Sequence, residues 1–438
     1  MKPKISLIAA LFCLIMAIIA CGPFTPIPPT ALPSPEQPTV PATPSPLPPT
    51  EPPSTITVSP TPEAPVVPTE TVPPPTPESL PAAPAHFPAG DPIALDSIRM
   101  TSQTHGWGLS GPYVLVTSDG GQTWREVMPP DPFASGAPDK AYGAFLDDNS
   151  AWVVFFQNDQ ILQDSPVWHT IDGGRNWTAS ARLTYQVIGD IEWAEFAVLD
   201  SQNVWMLVRG VYAGAGTHYN HELFHSADGG LTWTSLDSEI SDDYTGMVFG
   251  DTQFGLRSLQ TIGAYENGAP TYDVTTDGGA TWESHELPPP TGTPDLFNQY
   301  PYCETYQPVL LSTHFIRLLV GCFDYTSPPK LFTSYLYISQ DGGISWKIVH
   351  LPVKVLASED TLFYFDNDHA LLLGGNIYQS TDGGQTWSFV QKVNWEAQFS
   401  FVDPQHGWGL GGAVGEIALV NTINGGRTWA LIKPVITK

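Results

Sequence analysis

Basic side chains are scarce in this chain of 438 residues. Lys and Arg number 17 against 44 Asp and Glu, which gives a formal net charge of −27. An acidic surface repels phosphate backbones and anionic headgroups, which argues against nucleic acid binding and direct adsorption to lipid. The sequence also contains no phosphate-binding loop, no Cys/His zinc spacing and no Gly-x-Ser-x-Gly elbow. We therefore predict no cofactor, no metal site and no nucleic acid partner.

Cysteine is also rare, with four in the chain. Cys13 and Cys21 belong to the N-terminal segment described next, which leaves Cys303 and Cys322. Two remaining cysteines in a protein outside the cytoplasm predict a disulfide, and the alternative is two buried thiols. We expect Cys303 before the first strand of its repeat and Cys322 after the second, so that the bond pins a long insertion.

Residues 1–20 have the features of a signal peptide. Lys2 and Lys4 precede an apolar run that is short for a membrane-spanning helix. The run ends in Ile-Ile-Ala-Cys-Gly, which resembles a bacterial lipoprotein cleavage box and implies a lipid on Cys21. The alternative is an ordinary secretory signal with an incidental cysteine. We expect an extracytoplasmic protein that is anchored to the bacterial membrane as a lipoprotein.

Residues 21–90 have the composition of a disordered stalk. Proline occupies 25 of the 69 positions from 22 to 90, and this stretch holds five Glu but no Lys or Arg. Such a segment has too few apolar side chains for a core and favours extended polyproline II. We predict that it separates a folded domain, residues 91–438, from the membrane.

A six-residue frame recurs through the folded part. It reads Asp-Gly-Gly-x-Thr-Trp in its clearest copies, and alternating apolar stretches precede and follow it. Asp followed by Gly-Gly is turn chemistry, because the carboxylate accepts backbone N–H groups and glycine adopts positive φ. Each copy therefore predicts a hairpin turn between two strands. The copies begin at Asp119, Asp172, Asp228, Asp277, Asp341, Asp382 and Asn424.

The spacing of this frame predicts the fold. The copies are 41 to 64 residues apart, and each interval holds four short strand patterns, as in a β-propeller. We predict an all-β, seven-bladed propeller of four-stranded antiparallel blades. The repeated Asp residues could form a calcium or catalytic array. A propeller, however, places one of them in each blade, so they lie far apart. No strand is obviously left over to close the ring, and residues 93–95 are one candidate for that role.

Two repeats extend the likeness beyond the turn. Residues 105–109 and 406–410 share His-Gly-Trp-Gly-Leu, and each leads through a strand to its Gly-Gly turn. The chain resembles the Asp-box (BNR) propellers of the sialidase superfamily, and among them the photosystem II assembly/stability factor-like group. This resemblance implies the fold, but the box is shared by hydrolases, sorting receptors and assembly factors.

The chain departs from two functional patterns that the resemblance suggests. The photosystem factor carries a basic arginine patch, whereas residues 91–438 hold 39 acidic and 15 basic side chains. Sialidases carry an Arg-Ile-Pro motif, which is absent. Arg209, Arg257 and Arg317 fall in second strands of successive blades, where they either converge on a ligand or pair with carboxylates.

The predicted ligand surface is the face with long connections. In a four-stranded meander, the connections between strands two and three and between blades share one face. These vary most in length, and variable loops on a rigid scaffold commonly bind ligands. His218 and His221 have no third metal ligand nearby in sequence. Besides the three arginines, the candidates are Tyr212, Tyr219, His221, Tyr265, Tyr300, Tyr302 and Tyr325, which otherwise pack their own loops.

The sequence thus favours a monomeric binding or assembly-scaffold propeller that recognises a cell-envelope protein or glycan. The rival prediction is a glycoside hydrolase acting through two carboxylates. With 39 acidic residues in the folded part, the sequence nominates no catalytic residue.

Overall fold

The computed structural model describes residues 78–130, 138–157, 160–161, 166–185, 191–212, 219–241, 244–259, 269–299, 302–324, 330–352, 361–393, 395–413 and 416–438. All of them belong to the unit Pro73–Lys438. The predicted signal peptide, Cys21 and nearly all of the predicted stalk lie outside the described residues. His218, Tyr265, Tyr300 and Tyr325 lie outside them as well.

The first three blades begin at the N-terminal end of this unit. Within each blade, consecutive strands pair antiparallel, so the blade is a simple meander. Blade 1 is built on β2–β5, blade 2 on β6–β10 and blade 3 on β11–β14. The strands are β1 (Leu80–Pro81), β2 (Ser97–Met100), β3 (Gly106–Ser110), β4 (Tyr113–Thr117), β5 (Thr123–Glu126), β6 (Lys140–Phe145), β7 (Ala151–Gln157), β8 (Gln160–Ile161), β9 (Trp168–Thr170), β10 (Asn176–Ala179), β11 (Ile191–Val198), β12 (Val204–Tyr212), β13 (Tyr219–Ser226) and β14 (Thr234–Ser241).

Blades 4 to 7 continue the pattern. Blade 5 has a divided first strand, β19 and β20, and a four-residue helix, α1 (Leu296–Gln299), precedes it. The remaining strands are β15 (Tyr244–Phe249), β16 (Gly255–Leu259), β17 (Thr271–Thr275), β18 (Glu283–Glu286), β19 (Tyr302–Thr305), β20 (Val309–Leu310), β21 (Ile316–Asp324), β22 (Lys330–Ser339), β23 (Lys347–His350), β24 (Thr361–Tyr364), β25 (Ala370–Leu373), β26 (Asn376–Ser380), β27 (Ser388–Lys392), β28 (Glu396–Phe401), β29 (Gly407–Ala413), β30 (Glu416–Thr422), β31 (Ala430–Ile432) and β32 (Val435–Ile436).

The seven sheets form the predicted seven-bladed propeller. First strands of neighbouring blades contact each other, as β2 does with β28 and β11 with β15, so the first strands surround the axis. The apolar core is divided into clusters between adjacent blades rather than gathered at one centre. This explains how a unit of this size stays packed, because each interface buries its own side chains.

The repeated frame forms the turn between the third and fourth strands of every blade. In the copy at Asp382, Oδ1 accepts the Thr386 N–H at 2.8 Å and Oδ2 accepts the Thr386 hydroxyl at 2.7 Å. Gly383 and Gly384 have φ values of 72° and 87°, which glycine adopts without strain. Sequence reasoning missed a further member of the turn, Ser380, whose hydroxyl donates to Asp382 Oδ1 at 2.9 Å. A Ser or Thr precedes the acidic or amide residue by two positions in all seven copies.

Part of the folding stability that these turns contribute depends on pH. Hydrogen bonds from the Thr281 hydroxyl and N–H and from Thr275 lower the pKa of Asp277 to about 2. A depressed folded-state pKa contributes stability above the ordinary value near 4, and the contribution is lost as the pH falls through about 2. We expect Asp277→Asn to lower Tm at pH 6, with the difference from wild type shrinking towards pH 2.

Thermal unfolding followed by circular dichroism between pH 2 and pH 7 measures this difference. Asn424 shows that asparagine is accommodated in the same turn, where its Nδ2 donates to the Thr428 hydroxyl at 2.8 Å. The matched control is Asp295→Asn at an exposed position. An Asp277→Asn difference that is equally large at pH 2 and pH 6 would contradict the prediction.

Tryptophan side chains connect neighbouring blades. The indole N–H of Trp152 donates to the Gly229 carbonyl at 2.8 Å, and that of Trp205 donates to the Gly278 carbonyl at 2.8 Å. Each acceptor is the first glycine of the turn in the next blade. The pattern ties adjacent blades at the face that carries the Asp-box turns.

Both ends of the described chain contribute extra strands. β32 pairs parallel with β5 at the outer edge of blade 1, and β1 pairs antiparallel with β10 at the outer edge of blade 2. The Trp408 N–H also donates to the Gly120 carbonyl at 2.9 Å, which links blade 7 to blade 1. The suggested closing strand at 93–95 is wrong. Ile93 and Leu95 are core residues, and the neighbouring Pro92 forms an isolated bridge to Val435.

Cys303 and Cys322 are joined by a disulfide with a Cα–Cα distance of 4.0 Å. Their expected positions relative to the strands are wrong. They face each other in the ladder between β19 and β21, so the bond lies within paired strands rather than outside them. It connects the two innermost strands of blade 5 where its first strand is divided.

The long connections are partly strand, which corrects the sequence interpretation. Among the connections between strands two and three, residues 208–212 and 219–222 belong to β12 and β13, and residues 323–324 and 330–335 belong to β21 and β22. Long hairpins thus project from the face opposite the Asp-box turns. Among the described residues, no helix has the length and apolar character needed to cross a membrane.

Candidate functional site

The strongest grouping of predicted site residues lies between blades 3 and 4, towards the face with long connections. The extended β12–β13 hairpin places Arg209 opposite His221 and Tyr212 opposite Tyr219. Blade 4 begins beside it with Tyr244 at the start of β15. Alternation along the strands explains the grouping, because Arg209 and His221 project from the sheet face that carries Trp205 and Leu207 towards blade 4.

The side chains form a continuous stack, which we call the blade 3/4 cluster: Arg209, Tyr219, His221, Tyr244 and Arg257. The Arg209 guanidinium lies 4.7 Å from the Tyr219 ring centre, and Tyr219 is 6.2 Å from His221. His221 meets Tyr244 edge to face at 4.6 Å, and Arg257 lies 4.6 Å from the Tyr244 ring. Cation–π and edge contacts of this kind hold the rings in fixed orientations.

The inner end of the cluster is a buried ion pair. Arg257 Nε lies 2.9 Å from Asp273 Oδ2, and Arg257 Nη1 lies 3.9 Å from Asp237 Oδ2. The guanidinium also lies 4.5 Å from the Trp282 ring centre. The side chains of Arg257 and Asp273 are 7% and 8% exposed. The pairing fixes Arg257 between its neighbours, which suits a supporting role more than direct ligand contact.

The outer end of the cluster is accessible. Arg209 and Tyr219 are half-buried, and so is Trp193, whose ring lies 5.4 Å from the Arg209 guanidinium. Two aromatic faces and a guanidinium at a surface offer planar contact area and hydrogen-bond donors at low conformational cost. The arrangement can therefore bind a polar chain laid across it.

Two acidic side chains next to this cluster are bonded within the protein. Asp273 is held by Arg257, and no group of three His, Cys, Asp or Glu in the described part could hold a metal ion. Glu222, next to His221 in β13, is fully buried and accepts the Ser235 hydroxyl at 2.7 Å.

Four of the ten predicted ligand-binding residues come together here: Arg209, Tyr219, His221 and Arg257. Arg317 does not join them, because it lies against Tyr364 at the interface with blade 6. Tyr212 and Tyr302 lie in β12 and β19, but their side chains are outside the described residues. Sequence reasoning missed Tyr244, whose place in the cluster depends on its contact with His221 in the neighbouring blade.

Comparisons with known proteins agree with this architecture. The model of the BNR/Asp-box repeat matches residues 337–347. A xyloglucanase from Paenibacillus sp is 22% identical over 281 residues, which are 59% of this chain and 26% of that protein. The chain thus spans about a quarter of the length of this curated relative.

The chain is also similar to solved structures. The structure of YCF48 bound to a D1 peptide is 18% identical with a TM-score of 0.47, covering 79% of this chain and 98% of that one. A puromycin-hydrolysing peptidase of Mycobacterium tuberculosis is 13% identical with a TM-score of 0.50, covering 80% and 57%. At 13% identity the likeness to the peptidase concerns the fold alone.

Proposed function

Because the chain is a seven-bladed propeller of Asp-box repeats, we propose that it is a binding module that holds a protein partner on its loop-rich face. The observation that carries the proposal is the stacked blade 3/4 cluster, which is ordered at its buried end and accessible at its outer end. A prearranged aromatic surface loses little side-chain entropy when a ligand binds.

Charge favours a partner that presents a basic segment. Residues 91–438 carry a net charge of −24, which attracts cationic segments over the surface as a whole. The same charge disfavours acidic polymers. A lipid on Cys21 and the proline-rich stalk would present this face outside the cytoplasm, at a distance from the membrane.

The test is capture from detergent-solubilised membranes of the native host with the full-length protein. We expect Tyr219→Ala and Arg209→Ala each to weaken capture of a protein partner at least tenfold, because both remove contact surface at the accessible end of the cluster. The matched control is Phe389→Ala, which removes an exposed aromatic ring from blade 6 and should leave capture unchanged.

Three other outcomes of these experiments would change the proposal. Capture that survives both variants would place the site elsewhere and overturn the proposal. Binding of a neutral glycan that is lost in Tyr219→Ala would keep the site but overturn the choice of a protein partner. Hydrolysis of a polysaccharide by the purified protein would favour the glycoside hydrolase alternative.

A further inference from the structure

Arg317 occupies a position that holds tryptophan in four other blades. In each blade the turn between strands one and two closes with a backbone bond, in blade 5 from the Leu311 N–H to the Phe315 carbonyl. The residue two positions after the acceptor is Arg317 in blade 5. The corresponding residues are Trp107, Trp152, Trp205 and Trp408 in blades 1, 2, 3 and 7.

The substitution changes what lies between the two blades. Where tryptophan is present in blades 2, 3 and 7, its N–H donates to the first glycine of the next Asp-box turn. The equivalent acceptor for blade 5 is the Gly383 carbonyl, and here it accepts the Tyr364 hydroxyl at 3.0 Å instead. The Gly383 carbonyl is thus bonded within blade 6, and Arg317 does not make the inter-blade bond that tryptophan makes in those blades.

The guanidinium of Arg317 is buried without a counter-ion. The residue is 2% exposed, and Nη1 donates to the carbonyls of Ile316 at 3.0 Å and Ser339 at 3.3 Å. Nε is buried and donates to no acceptor, and Arg317 forms no ion pair within the described part of the chain. The Tyr364 ring centre lies 5.3 Å from the guanidinium. A buried cation without a carboxylate partner is still costly, and in a chain with 44 acidic residues such a partner would be easy to supply.

A groove with a volume of 480 Å³ opens over Arg317 between blades 5 and 6. Lys347 adds a second cation, and its Nζ contacts Gln385 Oε1. Asn367 and Gln340 add amide groups to the wall. Two carboxylates also line the groove. Asp382 is occupied by its own turn, and Asp368 is exposed.

We propose that this groove binds the carboxylate group of a small organic acid through Arg317 and Lys347. A planar carboxylate matches the fork of a guanidinium, and the amide walls suit hydroxyl groups on the same molecule. The presence of Asp368 and Asp382 favours a single negative charge over a phosphate dianion. This site lies on the Asp-box face, opposite the face used by the blade 3/4 cluster.

The experiment titrates the full-length protein with acetate or glycolate at constant ionic strength set by chloride, and follows Tm. We expect a saturable rise in Tm with each probe and a smaller effect of inorganic phosphate. Lys347→Met should raise the apparent Kd at least fivefold, whereas Lys392→Met, at an exposed lysine of β27, should leave it unchanged.

Arg317→Trp separates binding from structure, because it installs the side chain that four other blades use at this position. We expect an unliganded Tm equal to or above that of wild type together with loss of the carboxylate response. If this variant fails to fold, the Lys347→Met result decides. No saturable response in wild type, a stronger response to phosphate, or equal responses in wild type and the folded Arg317→Trp variant would overturn the proposal.

Discussion

Replacing Trp205 by alanine is expected to lower the free energy of unfolding by about 3–5 kcal/mol, the usual cost of removing a large buried aromatic side chain. Trp205 is fully buried between blades 3 and 4. Its ring stacks at 3.7 Å on Phe249 and at 4.3 Å on His225, and its N–H reaches Gly278 in the next blade. Truncation therefore removes apolar burial, ring stacking and an inter-blade hydrogen bond together.

Denaturant unfolding followed by far-ultraviolet circular dichroism measures this loss. Trp205→Phe keeps most of the burial but leaves the Gly278 carbonyl without the indole donor, so we expect a smaller loss of about 1–3 kcal/mol. Phe389→Ala removes an exposed ring from β27 and should change stability by no more than about 0.5 kcal/mol. Equal losses of stability in Trp205→Ala and Phe389→Ala would contradict the prediction that burial of Trp205 between blades 3 and 4 stabilises the fold.

Replacing Asp273 by alanine is expected to cost about 3–5 kcal/mol, because it removes the carboxylate that is hydrogen-bonded to the buried Arg257 guanidinium. Arg257 Nε lies 2.9 Å from Asp273, whereas the nearest approach to Asp237 is 3.9 Å. At this distance Asp237 makes a weaker contact with Arg257 than Asp273 does. The loss should also disturb the inner end of the blade 3/4 cluster and weaken partner capture.

A double-mutant cycle isolates the pair. We expect Arg257→Met with Asp273→Leu to cost less than the two single changes added together, because the double variant buries no uncompensated charge. Denaturant unfolding gives the free energies, and capture of the partner gives the functional readout. Additive single and double costs would mean that the two side chains act independently, contrary to their 2.9 Å contact.

The blade count and the turns could be predicted because they depend on local chemistry. Asp382, Gly383 and Gly384 specify their turn through bonds that span only four residues, and Thr386 completes it. The presence of four strands in each blade could be predicted for the same reason, since alternating apolar residues define strands locally. The Ser or Thr two positions before each turn was equally local and could have been found.

The features that were missed depend on distant partners. Val435 and Ile436 form a strand of two residues, too short for any pattern, whose partner β5 lies about 300 residues earlier in the chain. The blade 3/4 cluster needed Tyr244, whose role is set by the neighbouring hairpin rather than by its own surroundings in sequence. The sequence identifies Arg317 as a candidate ligand-binding cation. Its unusual position becomes clear only by comparison with Trp152 and Trp205, which occupy the same position in other blades.

Residues 80–93 are attached to blades 1 and 2 by a few short contacts, and this has a mechanical consequence. β1 lies on β10, the N–H groups of His86 and Phe87 donate to Glu126 Oε2, and the Gly90 N–H donates to the Ile436 carbonyl. A pulling force applied through the chain before Leu80 loads these short attachments in sequence, before it reaches any complete blade. We expect this segment to detach and extend before any blade unfolds. The ring of blades then stays intact under tension.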